Sequence, residues 1–142
     1  MREMQQRGGV SKRAAKRQKN GGVPRTRRKQ GEKKLQYLAQ QWLETAGLTP
    51  KLLIFHVPNE RMGSVGAGIH FKRMGVMPGV ADYLAFLHGG RAVAIELKHG
   101  DGEQRASQEH FQRRWELRGN TYFLCRTLEE FQGVVNGLLL FA

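Results

Sequence analysis

The sequence predicts an α/β fold in which a mixed central sheet is flanked by helices, in the order α-β-β-β-α-β-α. Three observations carry that expectation. Val80 to Leu87 and Ala92 to Lys98 are apolar, β-branched-rich runs separated by His88-Gly-Gly-Arg91, the pattern of an antiparallel hairpin. A helical stretch from Ser107 to Arg118 then leads to a strand, Thr121 to Arg126, and a helix crossover makes that strand parallel to its neighbour. Leu35, Leu38, Ala39, Trp42, Leu43 and Ala46 recur at helical spacing ahead of all of these.

The first helix ends where Gly47 can take the left-handed conformation. Leu52 to Val57 reads as a strand stopped by Pro58. Asn59, Glu60 and Arg61 then open a glycine-rich stretch, with Gly63, Gly66, Gly68, Gly75 and Gly79, read as a loop. Its glycines lack the spacing of a phosphate-cradling loop, which argues against a nucleoside triphosphate site. Arg61, Lys72 and Arg73 would suit such a loop to grasp a nucleic-acid backbone.

Past the hairpin, His99 to Gln104 reads as a turn, with Ser107 as N-cap of the next helix and Gly119 just beyond its end. Gln108, Phe111, Gln112 and Trp115 share one stripe of that helix. An amide on a stripe facing the sheet needs a partner. Arg105, Arg113, Arg114 and Arg118 make the other face basic. Thr127-Leu-Glu-Glu130 is a capping box for the last helix, which carries Phe131, Val134, Val135 and Leu138. The apolar ending Leu138-Leu-Leu-Phe141 fits either a homodimer contact or core burial.

Charge divides the chain. Residues 1–31 hold 11 Lys or Arg against one Glu, and residues 32–142 hold 13 against 11, so most of the net charge of +12 lies in the first segment. That segment has few aliphatics and is expected to be a basic flexible arm, leaving residues 32–142 as one domain. Such an arm suits sequence-independent phosphate contacts, or solubility alone. A single cysteine, Cys125, excludes an internal disulfide and reads as a small buried thiol. No apolar stretch reaches the ~18 residues of a membrane span, so no membrane partner and an intracellular location are expected. The five histidines show no metal-binding spacing, and no Ser-His-Asp arrangement is evident.

Asp82, Glu96 and Lys98 stand on strands that otherwise read as buried. Charges in that setting suggest a metal site. Register decides whether the two acids meet. A two-residue Gly89-Gly90 turn sets Asp82 against Leu97 and parts the carboxylates. A three-residue His88-Gly89-Gly90 loop with a left-handed glycine sets Asp82 against Glu96, with Lys98 two positions along on the same face. An odd-length loop or a bulge is therefore expected. Opposed β-carbons are about 4.5–5.5 Å apart, close enough for both acids to share one divalent ion. Hard oxygen ligands favour magnesium or manganese, and the chemistry that suits them is phosphodiester hydrolysis. Lys98 would orient the attacking water or offset charge developing at phosphorus, and the Leu97 carbonyl would complete the ligands.

Aspartate followed on the next strand by Glu-x-Lys resembles the PD-(D/E)xK nuclease pattern. Phe55-His-Val-Pro-Asn-Glu60, Lys72-Arg-Met-Gly-Val-Met-Pro78-Gly-Val-Ala-Asp82, Ile95-Glu-Leu-Lys98, Ser107-Gln108 and Arg118-Gly119 together resemble the virus-type replication-repair nuclease domain, VRR-Nuc, over roughly Gly31 to Val135. Ala81 stands where that family often has proline, a change that alters no charge. The resemblance implies a restriction-endonuclease-like αβββαβ core and a metal-dependent, structure-selective deoxyribonuclease, an endonuclease for Holliday-junction or flap-like DNA in replication, recombination or repair. It also implies a role for Gln108 at a phosphate or in positioning the lysine or water, with ordinary helix capping as the competing role. Glu32 matches a first-helix glutamate that reaches the ion, although a glutamate in a first turn also suits the helix dipole without any metal. Two other readings stand beside this one: a catalytically idle nuclease fold that only binds nucleic acid, and a basic architectural protein.

Overall fold

The computed structural model describes residues 25–48, 51–58 and 65–142. Helices α1 (Arg25–Thr45), α2 (Val65–Arg73), α3 (Ala106–Glu116) and α4 (Leu128–Leu138) surround strands β1 (Leu53–His56), β2 (Tyr83–Phe86), β3 (Ala92–Leu97) and β4 (Thr121–Cys125). The strands lie in the order β1-β2-β3-β4, antiparallel across the first two ladders and parallel between β3 and β4. The mixed α/β sheet is the one the sequence predicts.

Each face of the sheet buries its own apolar set, because alternate strand residues point to opposite sides. Tyr83, Ala85, Val93, Ile95 and Leu97 pack with Leu35, Ala39 and Leu43 of α1 and Phe131, Val135 and Leu138 of α4. On the other side Ala81 and Ala94 pack against Phe111 of α3, with Leu84, Trp115 and Tyr122 closing the edges. α1 ends as expected. The Gly47 and Leu48 N–H groups bond the Glu44 and Leu43 carbonyls, with Gly47 at φ 62°.

Three expectations need correction. Residues 25–31, assigned to the flexible arm, are the first turns of α1. They are fastened there: the Arg28 guanidinium lies 3.6 Å from Asp101, and Gly31 meets the His99 ring with no room for a Cβ. The glycine-rich stretch contains α2 rather than a continuous loop, and Gly75 closes it at φ 82°, as the Gly75 and Val76 N–H groups bond the Lys72 and Phe71 carbonyls. That glycine is a helix C-terminus signal of the same kind as Gly47, obscured by the glycines around it. Finally, Arg105 rather than Ser107 is the N-cap of α3. The Gln108 side-chain carbonyl accepts the Arg105 N–H at 2.9 Å, so the cap is made from inside the helix.

The hairpin that carries the acids takes the odd-length form. Phe86 pairs with Ala92, the Leu87 N–H bonds the Arg91 carbonyl at 2.8 Å, and His88-Gly89-Gly90 make the three-residue connection. Gly89 and Gly90 both have positive φ, 77° and 80°, which a residue with a Cβ adopts only at a cost.

Candidate active site

Extending the ladder Tyr83↔Ile95, Leu84↔Ala94 by one step places Asp82 against Glu96. Both side chains face α3, the side of Leu84 and Ala94. Asp82 closes the end of the hairpin: its Oδ2 accepts the Leu97 N–H at 2.8 Å, and its carbonyl accepts the Val57 N–H at 2.8 Å. Leu97 thus reaches the acid through its N–H. Gly79, at φ 82°, seats the segment before Asp82 directly on the Ser107 and Gln108 backbone, where any Cβ would collide.

Glu96, Lys98 and Gln108 are 5% exposed or less. The Lys98 ammonium lies 2.8 Å from Glu96 Oε1, and the Gln108 side-chain amide donates to the same oxygen. Gln108 therefore caps α3 with its carbonyl, the competing role, and with its amide holds Glu96, a contact the sequence did not indicate. Glu96 Oε2 is buried, and among the described residues no donor meets it at hydrogen-bonding geometry. A buried carboxylate oxygen left in that condition is costly unless something binds it.

Electrostatics follow from the burial. Loss of water and the nearby Asp82 charge push the Glu96 carboxyl up to about 7, against the pull of Lys98 and Arg105. Burial also raises Asp82, opposed by the Leu97 N–H, Lys98 and His56. Glu32 adds to that rise. Its Oε1 lies beside Gly102, as does the Lys98 side chain. The dipole alternative for Glu32 loses its basis, since α1 begins seven residues earlier and has no acid in its first turn.

The acids, the lysine and Gln108 thus lie together, with Glu32 at their edge. Among the described residues no three His, Cys, Asp or Glu side chains gather into a ready-made metal cage. The donor set nevertheless suits a hard divalent ion, because it supplies two opposed carboxylates, one with a buried oxygen that no donor among the described residues meets. Lys72 and Arg73 are exposed in the last turn of α2, and Arg61 lies outside the described residues. Cys125 is buried and its thiol is pushed up to about 11 by desolvation, the setting of an inert core thiol.

Tyr122 belongs to this cluster and carries no motif signal. It pairs with Ala94 across the parallel ladder, two residues before Glu96, and its hydroxyl accepts a hydrogen bond from Gln104 at 3.2 Å. Burial and the Glu96 charge hold the phenol protonated. Only the β3–β4 register reveals it. His56 bonds Gln36 and lies edge-on against Tyr83 at 5.5 Å, a packing role that also bears electrostatically on Asp82.

A four-stranded mixed sheet with helices on both faces and an acidic hairpin beneath one of them is the architecture of nuclease-like α/β domains. No family model and no curated protein matches the sequence. Among solved structures, one described as a VRR_NUC domain protein is similar with a TM-score of 0.64 and 19% identity, over 79% of this chain and 90% of that one. Another, described as a VRR_NUC domain, has a TM-score of 0.47 and 18% identity over 75% of this chain and 95% of its own. The fold is that of a VRR-Nuc domain. Among the described residues no helix is long and apolar enough to cross a membrane.

Proposed function

We propose that this chain is a metal-dependent VRR-Nuc deoxyribonuclease, an endonuclease that hydrolyses phosphodiester bonds in branched or flapped DNA. The supporting observation is the buried carboxylate of Glu96, opposed by Asp82, paired to Lys98 on one oxygen and, among the described residues, without a donor on the other. Asp82 and Glu96 would hold Mg2+ or Mn2+, helped by the Leu97 carbonyl, with Glu32 at the periphery. Such an ion supplies Lewis acidity and an acidic bound water. Gln108 fixes the Glu96 carboxylate, and Lys98 presents an ammonium where negative charge develops on the phosphoryl oxygens.

Substrate contact falls to the cations around this centre. Arg27, Lys29, Lys33 and Lys34 are exposed on the same end of α1 as Glu32, and Arg61, Lys72 and Arg73 would hold phosphates from the segment before Asp82. Phosphate contacts position the duplex without reading its sequence.

The deciding experiment incubates the full chain with four-way junctions, flaps, nicked duplexes and single strands, with magnesium, manganese or EDTA. Cleavage of branched DNA that EDTA stops, and that Asp82→Ala or Lys98→Ala removes without loss of binding, is the expected result. Binding without cleavage under every metal condition would leave only the idle nucleic-acid binder.

A further inference from the structure

The sheet face that carries Asp82 and Glu96 is only half covered. α3 packs over the β3–β4 side, through Phe111 and Trp115 against Ala94 and Tyr122. Cover thins toward β1: Leu84 of β2 is still half-buried against the α3 cluster, whereas beyond it no described residue buries Leu53, Phe55 or Phe86. Phe55 stands opposite Leu84, and Leu53 opposite Phe86, so all four share the face of Asp82. Leu53 is 64% exposed, Phe55 45% and Phe86 39%. The two phenylalanine rings lie nearly parallel, 19° apart with centroids at 6.1 Å. Exposed rings fixed side by side on a strand surface are costly unless something covers them.

From this juxtaposition we infer that Phe55 and Phe86 form a stacking platform for unpaired bases next to the scissile phosphate. Three features point to a nucleic acid rather than a second copy of the chain. Residues 51–58 and 83–95 carry Lys51 and Arg91 and neither Asp nor Glu, so away from Asp82 and Glu96 at the active-site end the surroundings favour a polyanion. Both cations are exposed, Arg91 resting over the Phe141 ring at 5.1 Å. The platform is also continuous with the candidate active site: on β2, Leu84 and Phe86 follow Asp82 at about 7 and 13 Å along one face. Bases splayed from a duplex expose π-faces that aromatic side chains receive without regard to sequence. The inference rests on the nuclease reading and deepens it, because it makes the substrate DNA with unpaired nucleotides beside the cut.

The test measures binding in EDTA, so it does not depend on cleavage. A flapped duplex carries 2-aminopurine at its first unpaired position, and a blunt duplex of equal length serves as competitor. The full chain is expected to change the 2-aminopurine emission by stacking. Phe55→Ala with Phe86→Ala should remove that change and lower the preference for flap over blunt duplex by about tenfold or more, whereas Phe55→Tyr retains both. An unchanged emission with the wild-type chain, or an unaltered preference in the double variant, overturns the proposal. So does a wild-type dimer that the double variant dissociates with no change in DNA preference, which would make the face a self-association surface. Failure of metal-dependent cleavage in the earlier panel would sink the nuclease reading while this binding result stood.

Discussion

Lys98 Nζ lies 2.8 Å from Glu96 Oε1, two residues back along the same chain, and both side chains are buried. One ammonium therefore faces two carboxylates, since Asp82 stands opposite Glu96. The cluster carries a surplus of negative charge when both acids are ionised. That surplus is what a divalent cation would relieve.

Metal binding should accordingly appear as stability. Saturating Mn2+, about a hundredfold above its dissociation constant, is expected to stabilise the wild-type chain by about 2.7 kcal/mol, read as a rise in Tm. Asp82→Asn should abolish most of the rise. A rise of equal size in that variant would place the ion elsewhere.

Stability should also depend on pH through Glu96. The carboxyl lies near 4.5 when solvated and near 7 in the fold, so between these values the native state holds a proton that the unfolded chain releases. Its contribution is complete below about pH 4.5 and is lost as pH rises through 7. Urea midpoints should therefore fall across this window by more in the wild type than in Glu96→Gln, measured without metal. Parallel profiles would show that Glu96 titrates normally.

Gln108 joins the helix cap to the acid, and its removal should register in both. Gln108→Ala is expected to cost about 1 kcal/mol through the cap alone. Losing the hold on Glu96 should lower cleavage about 10- to 100-fold, as for other residues that orient a metal ligand. Gln108→Glu would repel Glu96 and should not restore activity. Urea titration together with kcat separates the two effects.

Two glycines set the helices against the site. Gly79→Ala introduces a Cβ at φ 82° and against the Ser107 backbone, so it should destabilise by more than the roughly 1–2 kcal/mol of the left-handed conformation alone. Gly31→Ala meets the His99 ring instead. A side chain yields where backbone does not, and His99→Ala should recover most of the stability lost in Gly31→Ala but none of that lost in Gly79→Ala. Equal recovery in both would refute this assignment of the contacts.

Much of this was legible in the sequence because the signals are local. Hydrophobic period gave the strands, α1, α3 and α4, and the connection between Leu87 and Arg91 left two registers, of which the fold takes the one that brings Asp82 to Glu96. Where signals overlapped, reading failed. Gly66 and Gly68 concealed α2, and the cationic residues 25–31 hid the start of α1, whose support comes from Asp101 and His99, some 70 residues away in the chain.

Residue order alone thus determined which segments become strands and marked Asp82, Glu96 and Lys98 as charges on them, because alternation acts between near neighbours, and it marked Gln108 as an amide on the helical stripe facing the sheet. Only the folded chain decided the register that sets Asp82 against Glu96, that Lys98 and Gln108 share one oxygen of Glu96, that among the described residues the other meets no donor, that Tyr122 stands beside them, and that Phe55 and Phe86 are exposed. Those relations depend on which helix covers which part of the sheet. Burial by a distant element, unlike periodicity, leaves no mark on the residues it will enclose.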